Sequence, residues 1–151
     1  MSFERYQDLV KALCEEVGIG DAQTAIERGA VEVGGYEVLV MHMASDEQAM
    51  YLNFNMGIAR AGRTLRLFHF MLQSNTTVYA QDQAQLGVNP DTGGLLLIVR
   101  VPMTDELDGR ALADTLVHYS EHGRYWRDTM YSTADEMYDG PSHAHFLWMR
   151  A

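Results

Sequence analysis

The fold is decided by one segment of the sequence, Thr64-Leu65-Arg66-Leu67-Phe68-His69-Phe70-Met71-Leu72-Gln73. Its spacing is helical, and three apolar residues recur on one side of the helix: Leu65, Phe68 and Leu72. Three more lie around the rest of the helix, beyond the arc that a single core covers: Leu67, Phe70 and Met71. The pattern predicts a helix over residues 57 to 74 that is buried on more than one side.

The second side of this helix needs a covering surface. Most soluble oligomers are closed homo-oligomers, so for a chain of 151 residues we expect a second copy across a two-fold interface. The alternative is a monomer in which the helix lies between a sheet and other helices. The predicted dimer-interface residues are Leu65, Phe68, Phe70, Met71 and Leu72.

Composition excludes several classes of function. A formal net charge of −10 argues against nucleic acid as a partner, because such binding depends on Lys and Arg that neutralise phosphates. The sequence has no apolar run long enough to insert into a membrane. Its start carries Glu4 where a secretory signal carries bases, and its single cysteine, Cys14, fits a reducing compartment. We therefore expect a cytoplasmic protein.

Apolar periodicity predicts an α+β fold, with an antiparallel sheet of about five strands and three helices in the order α-β-β-β-α-β-β-α. The first hairpin turns at Gly34-Gly35, a pair that tolerates positive φ angles. The predicted elements are a helix over residues 3 to 17, strands over 30 to 33, 36 to 43 and 50 to 56, the helix over 57 to 74, strands over 85 to 89 and 95 to 101, and a last helix capped by Thr104.

The second strand is apolar on both sides. One side carries Val38 and Val40, and the other carries Leu39, Met41 and Met43. Since one core covers one side, the excess apolar surface predicts a binding surface for a partner. The predicted partner-binding residues are Val38, Leu39, Val40, Met41, Met43 and Phe54.

One motif suggests a different class of function. His118, Glu121 and His122 have the H-x-x-E-H spacing of a zinc peptidase helix, which predicts a small metal-dependent hydrolase as the alternative. A catalytic zinc needs a third protein ligand, and Glu136 is the only obvious downstream carboxylate. The simpler interpretation is a solvated helix face with no metal, which we favour.

Several segments resemble the class I type III secretion chaperones of the Tir-chaperone (CesT-like) family. The run from Leu65 to Asn75 is similar to that family's second helix, which ends in a Leu-x-x-Asn-like signature. Leu95 to Val101 is similar to its penultimate strand, and Asp108 to Ala113, leading to Trp126, is similar to its last helix. The resemblance covers about residues 3 to 130 by element order.

The resemblance implies a homodimeric chaperone, with no enzymatic activity, that binds the extended N-terminal segment of a secreted effector. It implies no cofactor. Residues 1 to 131 would form the chaperone-like domain, and residues 132 to 151 a C-terminal tail. The tail ends in four consecutive apolar residues, Phe146 to Met149. These predict either a placeholder in the client groove or a segment packed on the last helix or frayed.

Overall fold

A computed structural model of the protein describes residues 2–59, 62 and 64–136. The elements in chain order are α1 (Ser2–Val17), α2 (Ala22–Arg28), β1 (Ala30–Val33), β2 (Tyr36–Met43), β3 (Asp46–Ile58), α3 (Thr64–Asp82), β4 (Ala84–Val88), β5 (Gly94–Pro102) and α4 (Gly109–Glu136). The five strands form one sheet in the order β1-β2-β3-β5-β4, and every neighbouring pair is antiparallel. The predicted α+β class is confirmed.

The first helical region contains one more helix than predicted. α1 ends where Gly18 takes a φ of 76° and the Ile19 N–H donates to the Cys14 carbonyl at 2.8 Å. The short α2 follows, capped at its start by the Asp21 carboxylate, which accepts from the Thr24 N–H at 3.0 Å. α2 ends at Gly29, whose φ is 61°. These local caps make a helix of seven residues, too short for apolar periodicity to predict.

β3 extends further than predicted, into the start of the predicted 57 to 74 helix. It runs to Ile58, and its pairing with β5 shifts register between Asn55 and Ile58. Gly57 sits at this irregularity with a φ of 103°, and a Cβ atom there would lie 2.8 Å from the Tyr131 hydroxyl. A side chain is therefore excluded both by the backbone and by α4.

α3 is correspondingly shifted along the chain, beginning at Thr64 and ending at Asp82. Asn75, predicted to end it, lies inside the helix and fastens it to the sheet. Its side-chain oxygen accepts from the Leu86 N–H at 2.7 Å, and its amide nitrogen donates to the Leu86 carbonyl at 3.0 Å. Val78, in the next turn, is fully buried, so core packing carries the helix beyond Asn75.

α4 begins later than predicted because its cap is Asp108 rather than Thr104. The Asp108 carboxylate accepts from the Ala111 N–H at 2.8 Å. The carbonyl of Thr104 instead accepts from the Arg5 guanidinium of α1 at 3.0 Å. A Cβ atom at Gly109 would lie 2.6 Å from the backbone of Ala12, so glycine permits the close contact between α1 and α4. α4 extends to Glu136, and Phe146 to Met149 lie outside the described residues.

Candidate functional site

The sheet has two chemically different sides, and the helices pack on one of them. We call this side the covered face; its core residues include Val38, Val40, Leu52, Phe54, Leu97 and Val99. The helices contribute Leu9 and Leu13 of α1 and Leu112 and Leu116 of α4 to the same core. The covered face is thus the interior of the protomer.

Three of the predicted partner-binding residues lie on the covered face. Val38, Val40 and Phe54 are buried in the core, and Val38 is the register partner of Phe54. Their apolar character is explained by packing within the protomer, so they are not available for contact with a partner. Of the predicted partner-binding residues, Leu39, Met41 and Met43 remain outside the core, and each of them is half-buried.

The opposite side of the sheet, which we call the open face, carries Leu39, Met41, Tyr51, Asn53, Asn55, Leu96, Ile98 and Arg100, which alternate with the core residues of β2, β3 and β5. Leu39, Asn53 and Ile98 form one row across three strands. Leu96 is buried on this face but does not belong to the core that the helices cover. Met43 lies beyond a register shift after His42, at the rim of this face. An apolar surface therefore remains on the side that the core does not use.

Asn53 is a polar side chain in the middle of this apolar row. It is only 8% exposed, since Leu39 and Ile98 flank it. Its amide nitrogen lies 3.3 Å from the Met41 sulfur, and its side-chain oxygen has no hydrogen-bond donor among the described residues. A buried acceptor without a hydrogen-bond partner is unfavourable by about 1–3 kcal/mol, so a donor that reaches this oxygen would gain a hydrogen bond.

An ion-pair network lies on the open face where β3 begins and β5 ends. The Asp46 carboxylate accepts from Arg100 Nε at 2.6 Å, from Arg100 Nη2 at 3.0 Å and from the Tyr51 hydroxyl at 2.7 Å. The hydrogen bonds from Arg100 and then Tyr51 lower the pKa of Asp46, and the bond to Asp46 raises the pKa of Tyr51 and that of Arg100. The charges of Asp46 and Arg100 therefore offset each other.

α3 presents the second candidate surface. Leu67, Met71 and Val78 face the core of the protomer, whereas Leu65 is 83% exposed, Leu72 71% and Tyr79 58%. The three exposed residues are spaced by seven, so they form one stripe along the helix. Of the predicted interface residues, Leu65 and Leu72 lie on this stripe, Phe68 and Phe70 are half-buried against the core, and Met71 is buried in it.

Tyr79 is the member of the stripe that the sequence-based prediction missed. The prediction ended the helix at residue 74, but a heptad step from Leu72 finds Tyr79. Strand alternation would likewise have placed Ile98 on the open face, because it stands between the buried residues Leu97 and Val99.

The predicted metal-binding motif forms a pair of rings rather than a metal site. The rings of His118 and His122 are tilted by 41° with centroids 4.3 Å apart, and the ring of Tyr119 lies edge-on to His118 at 4.9 Å. Over the described residues, no three His, Cys, Asp or Glu side chains are grouped so that they would hold a metal ion. Cys14 is buried in the core. This burial raises the pKa of its thiol, and the negative charge of Asp21 raises that pKa further.

No helix within the part of the chain described above is both long enough and apolar enough to cross a bilayer.

Residues 8–127 match the model of the Tir chaperone protein (CesT) family. No curated protein sequence matches the chain. The fold is similar to that of a chain in the crystal structure of the ExsC-ExsE complex, with a TM-score of 0.51 at 14% identity, covering 77% of this chain and 94% of that one.

Two further solved structures are similar over much of the chain. A chain of the heterodimeric ExoU-SpcU complex, from the type III secretion system of Pseudomonas aeruginosa, has a TM-score of 0.46 at 17% identity and covers 67% of this chain and 77% of its own. A chain of the HopA1-SchA chaperone-effector complex has a TM-score of 0.47 at 13% identity and covers 78% and 96%.

Proposed function

The chain belongs to the Tir chaperone protein (CesT) family, and we propose that it is a cytoplasmic type III secretion chaperone. In this proposal it binds the extended N-terminal segment of a secreted effector and keeps that segment competent for secretion. The observation that carries the proposal is the open face, where Leu39, Met41 and Ile98 stand on the side of the sheet that the core does not use.

An extended polypeptide fits the open face for a physical reason. Side chains of a strand alternate, so every second side chain of a client contacts the apolar row while the others point to solvent. A second part of the same client can pair with the edge of β1, an outermost strand of the sheet, as an added strand. Main-chain hydrogen bonds then supply affinity that does not depend on sequence, and the apolar contacts supply selectivity.

We also propose that the functional unit is a homodimer joined through α3. Leu65, Leu72 and Tyr79 give a stripe of large, exposed apolar side chains, which is unfavourable in contact with water. A two-fold interface places the same stripe on both sides and covers both copies at once. Phe68, half-buried beside this stripe, completes the surface.

Binding of this kind requires no catalytic step and no cofactor, and we propose neither. The hydrolase alternative needs a third metal ligand beside His118 and His122, and no observation favours it over the chaperone. Metal analysis of the purified protein tests this point. Near-stoichiometric zinc that disappears in His118→Ala would contradict the proposal, since a chaperone acting by contact alone holds no metal.

Identification of the bound polypeptide tests the main proposal. The chain is purified from its native host with a mild affinity step, and any bound polypeptide is identified by mass spectrometry before and after limited proteolysis. We expect a secreted protein whose protected part is one continuous N-terminal segment. A partner that is protected only as a folded globular domain would contradict the proposal.

A further inference from the structure

The open face continues onto β1 and β2, where two carboxylates stand opposite each other. Glu32 and Glu37 are register partners in the antiparallel pair, and both are exposed. Directly opposite residues on one face have Cβ atoms about 5 Å apart, and like charges at this position destabilise the pair. No ion pair to either carboxylate is found among the described residues. Arg100 is bound to Asp46, and Arg124 donates to the Gly34 carbonyl in the turn between β1 and β2.

The acidic pair adjoins the apolar part of the open face. The pair of Glu32 and Glu37 forms one row on this side, and the next row on the same side contains Ala30, Leu39 and Asn53. Asn53 of that row is more than nine-tenths buried, and its side-chain oxygen accepts no hydrogen bond from the described residues. The surface therefore combines unpaired negative charge, apolar area and an unsatisfied acceptor in two adjacent rows.

We propose that the open face binds a client segment that is basic as well as apolar, with a lysine or arginine seated over the Glu32–Glu37 pair. The inference rests on the proposed chaperone function and states the chemistry of its client. A cation between the two carboxylates converts a repulsion into two attractions. Apolar side chains of the same segment cover Leu39 and Ile98, and an N–H of the segment donates to Asn53 Oδ1 once the side chains that bury this oxygen move aside.

The occupant follows from charge complementarity. A second copy of this chain, with a net charge of −10, brings further negative charge to the acidic pair. An extended segment twelve residues long spans about 40 Å, enough to cross a five-stranded sheet about 20 Å wide. Such a segment reaches both the acidic pair and the apolar row.

The test is selection from a random dodecapeptide library displayed on phage. It compares the wild type with the double variant Glu32→Gln and Glu37→Gln, which keeps side-chain shape and removes the charge. A matched control, Glu106→Gln with Glu121→Gln, removes the same charge from two exposed positions outside the sheet. Chemical denaturation checks folding, and the Glu32/Glu37 variant is expected to be at least as stable as the wild type because a repulsion is gone.

We expect the wild type and the control to enrich peptides that pair Lys or Arg with alternating apolar residues. Peptides selected on the wild type should bind the Glu32/Glu37 variant about fivefold more weakly at low salt, the factor that an exposed ion pair of ordinary strength supplies. Equal Lys and Arg content and equal affinity on both proteins would overturn the inference and leave the chaperone proposal standing. If no peptide is enriched on any of the three proteins, the chaperone proposal fails together with the inference.

Discussion

Leu72→Glu should dissociate the proposed dimer while leaving the protomer folded. The side chain is 71% exposed in the protomer, so its interactions there are few. At about 2 kcal/mol for complete burial of a leucine, covering the exposed part contributes about 1.4 kcal/mol per protomer. Two-fold symmetry counts this contribution twice, which corresponds to about a hundredfold in the dissociation constant. Burial of an unpaired carboxylate would add several kcal/mol to the loss.

Sedimentation equilibrium over a range of concentrations measures this change directly. The matched control is Val117→Glu, which places a carboxylate at an apolar residue of α4 that is 52% exposed. Phe68→Glu is a less specific test, because Phe68 also packs against the core and its loss destabilises the protomer itself. An unchanged dissociation constant in Leu72→Glu, with Val117→Glu also unchanged, would refute the assignment of α3 to the interface.

Three further outcomes are expected. Asn75→Ala should lower the free energy of unfolding by about 2 kcal/mol in urea denaturation, since two hydrogen bonds to the Leu86 backbone are lost, whereas Thr76→Ala at the neighbouring exposed position should change it little. Because the pKa of Asp46 is lowered in the folded protein, its ionised carboxylate stabilises the fold fully above the ordinary carboxyl pKa. This stabilisation is lost as the pH falls through the lowered pKa. Asp46→Asn should therefore be less stable than the wild type near neutral pH, and the difference should shrink as the pH falls below the ordinary carboxyl pKa, with Asp105→Asn, which changes an exposed aspartate, as the matched control. Met41→Asp should stay folded and bind the client about tenfold more weakly, whereas Val40→Asp, at 2% exposure, should prevent folding; a folded Met41→Asp with wild-type affinity would remove the open face from the site.

The strands were predictable because their signals are local. Alternation of apolar and polar residues identified β3, and the Gly34-Gly35 pair identified the first hairpin, where both glycines take positive φ angles of 61° and 79°. The second hairpin was found in the same way. Each of these signals lies within a few residues of the structure that it specifies.

The boundaries of α3 were not predictable, because they depend on distant contacts. The end of β3 at Ile58 is fixed partly by Tyr131, whose hydroxyl donates to the Ile58 carbonyl at 3.3 Å from 73 residues away. Asn75 resembles a helix-terminating residue in sequence, but its amide is used by β4. A local pattern contains neither the partner strand nor the last helix.

The sequence could not divide the apolar residues of β2 between the core and a partner surface. Both sides of β2 are apolar, and the sequence contains no signal that says which side the helices cover. The structure shows that α1 and α4 pack over the side with Val38 and Val40. Of the residues predicted to bind a partner, this leaves Leu39, Met41 and Met43 outside the core, and the acidic pair beside Leu39 becomes visible only when β1 and β2 are placed in register.

The strand order also separates the two proposed surfaces. α3 packs beside β4 at one edge of the sheet, whereas Glu32 lies on β1 at the other edge, with β2, β3 and β5 between them. Neighbouring strands are about 4.8 Å apart, so the two edges are about 20 Å from each other. A dimer formed through α3 would therefore leave the acidic pair of each protomer uncovered. In the proposed dimer, association and client binding would use different side chains, so a variant that loses the dimer should keep the surface on which the client is proposed to bind.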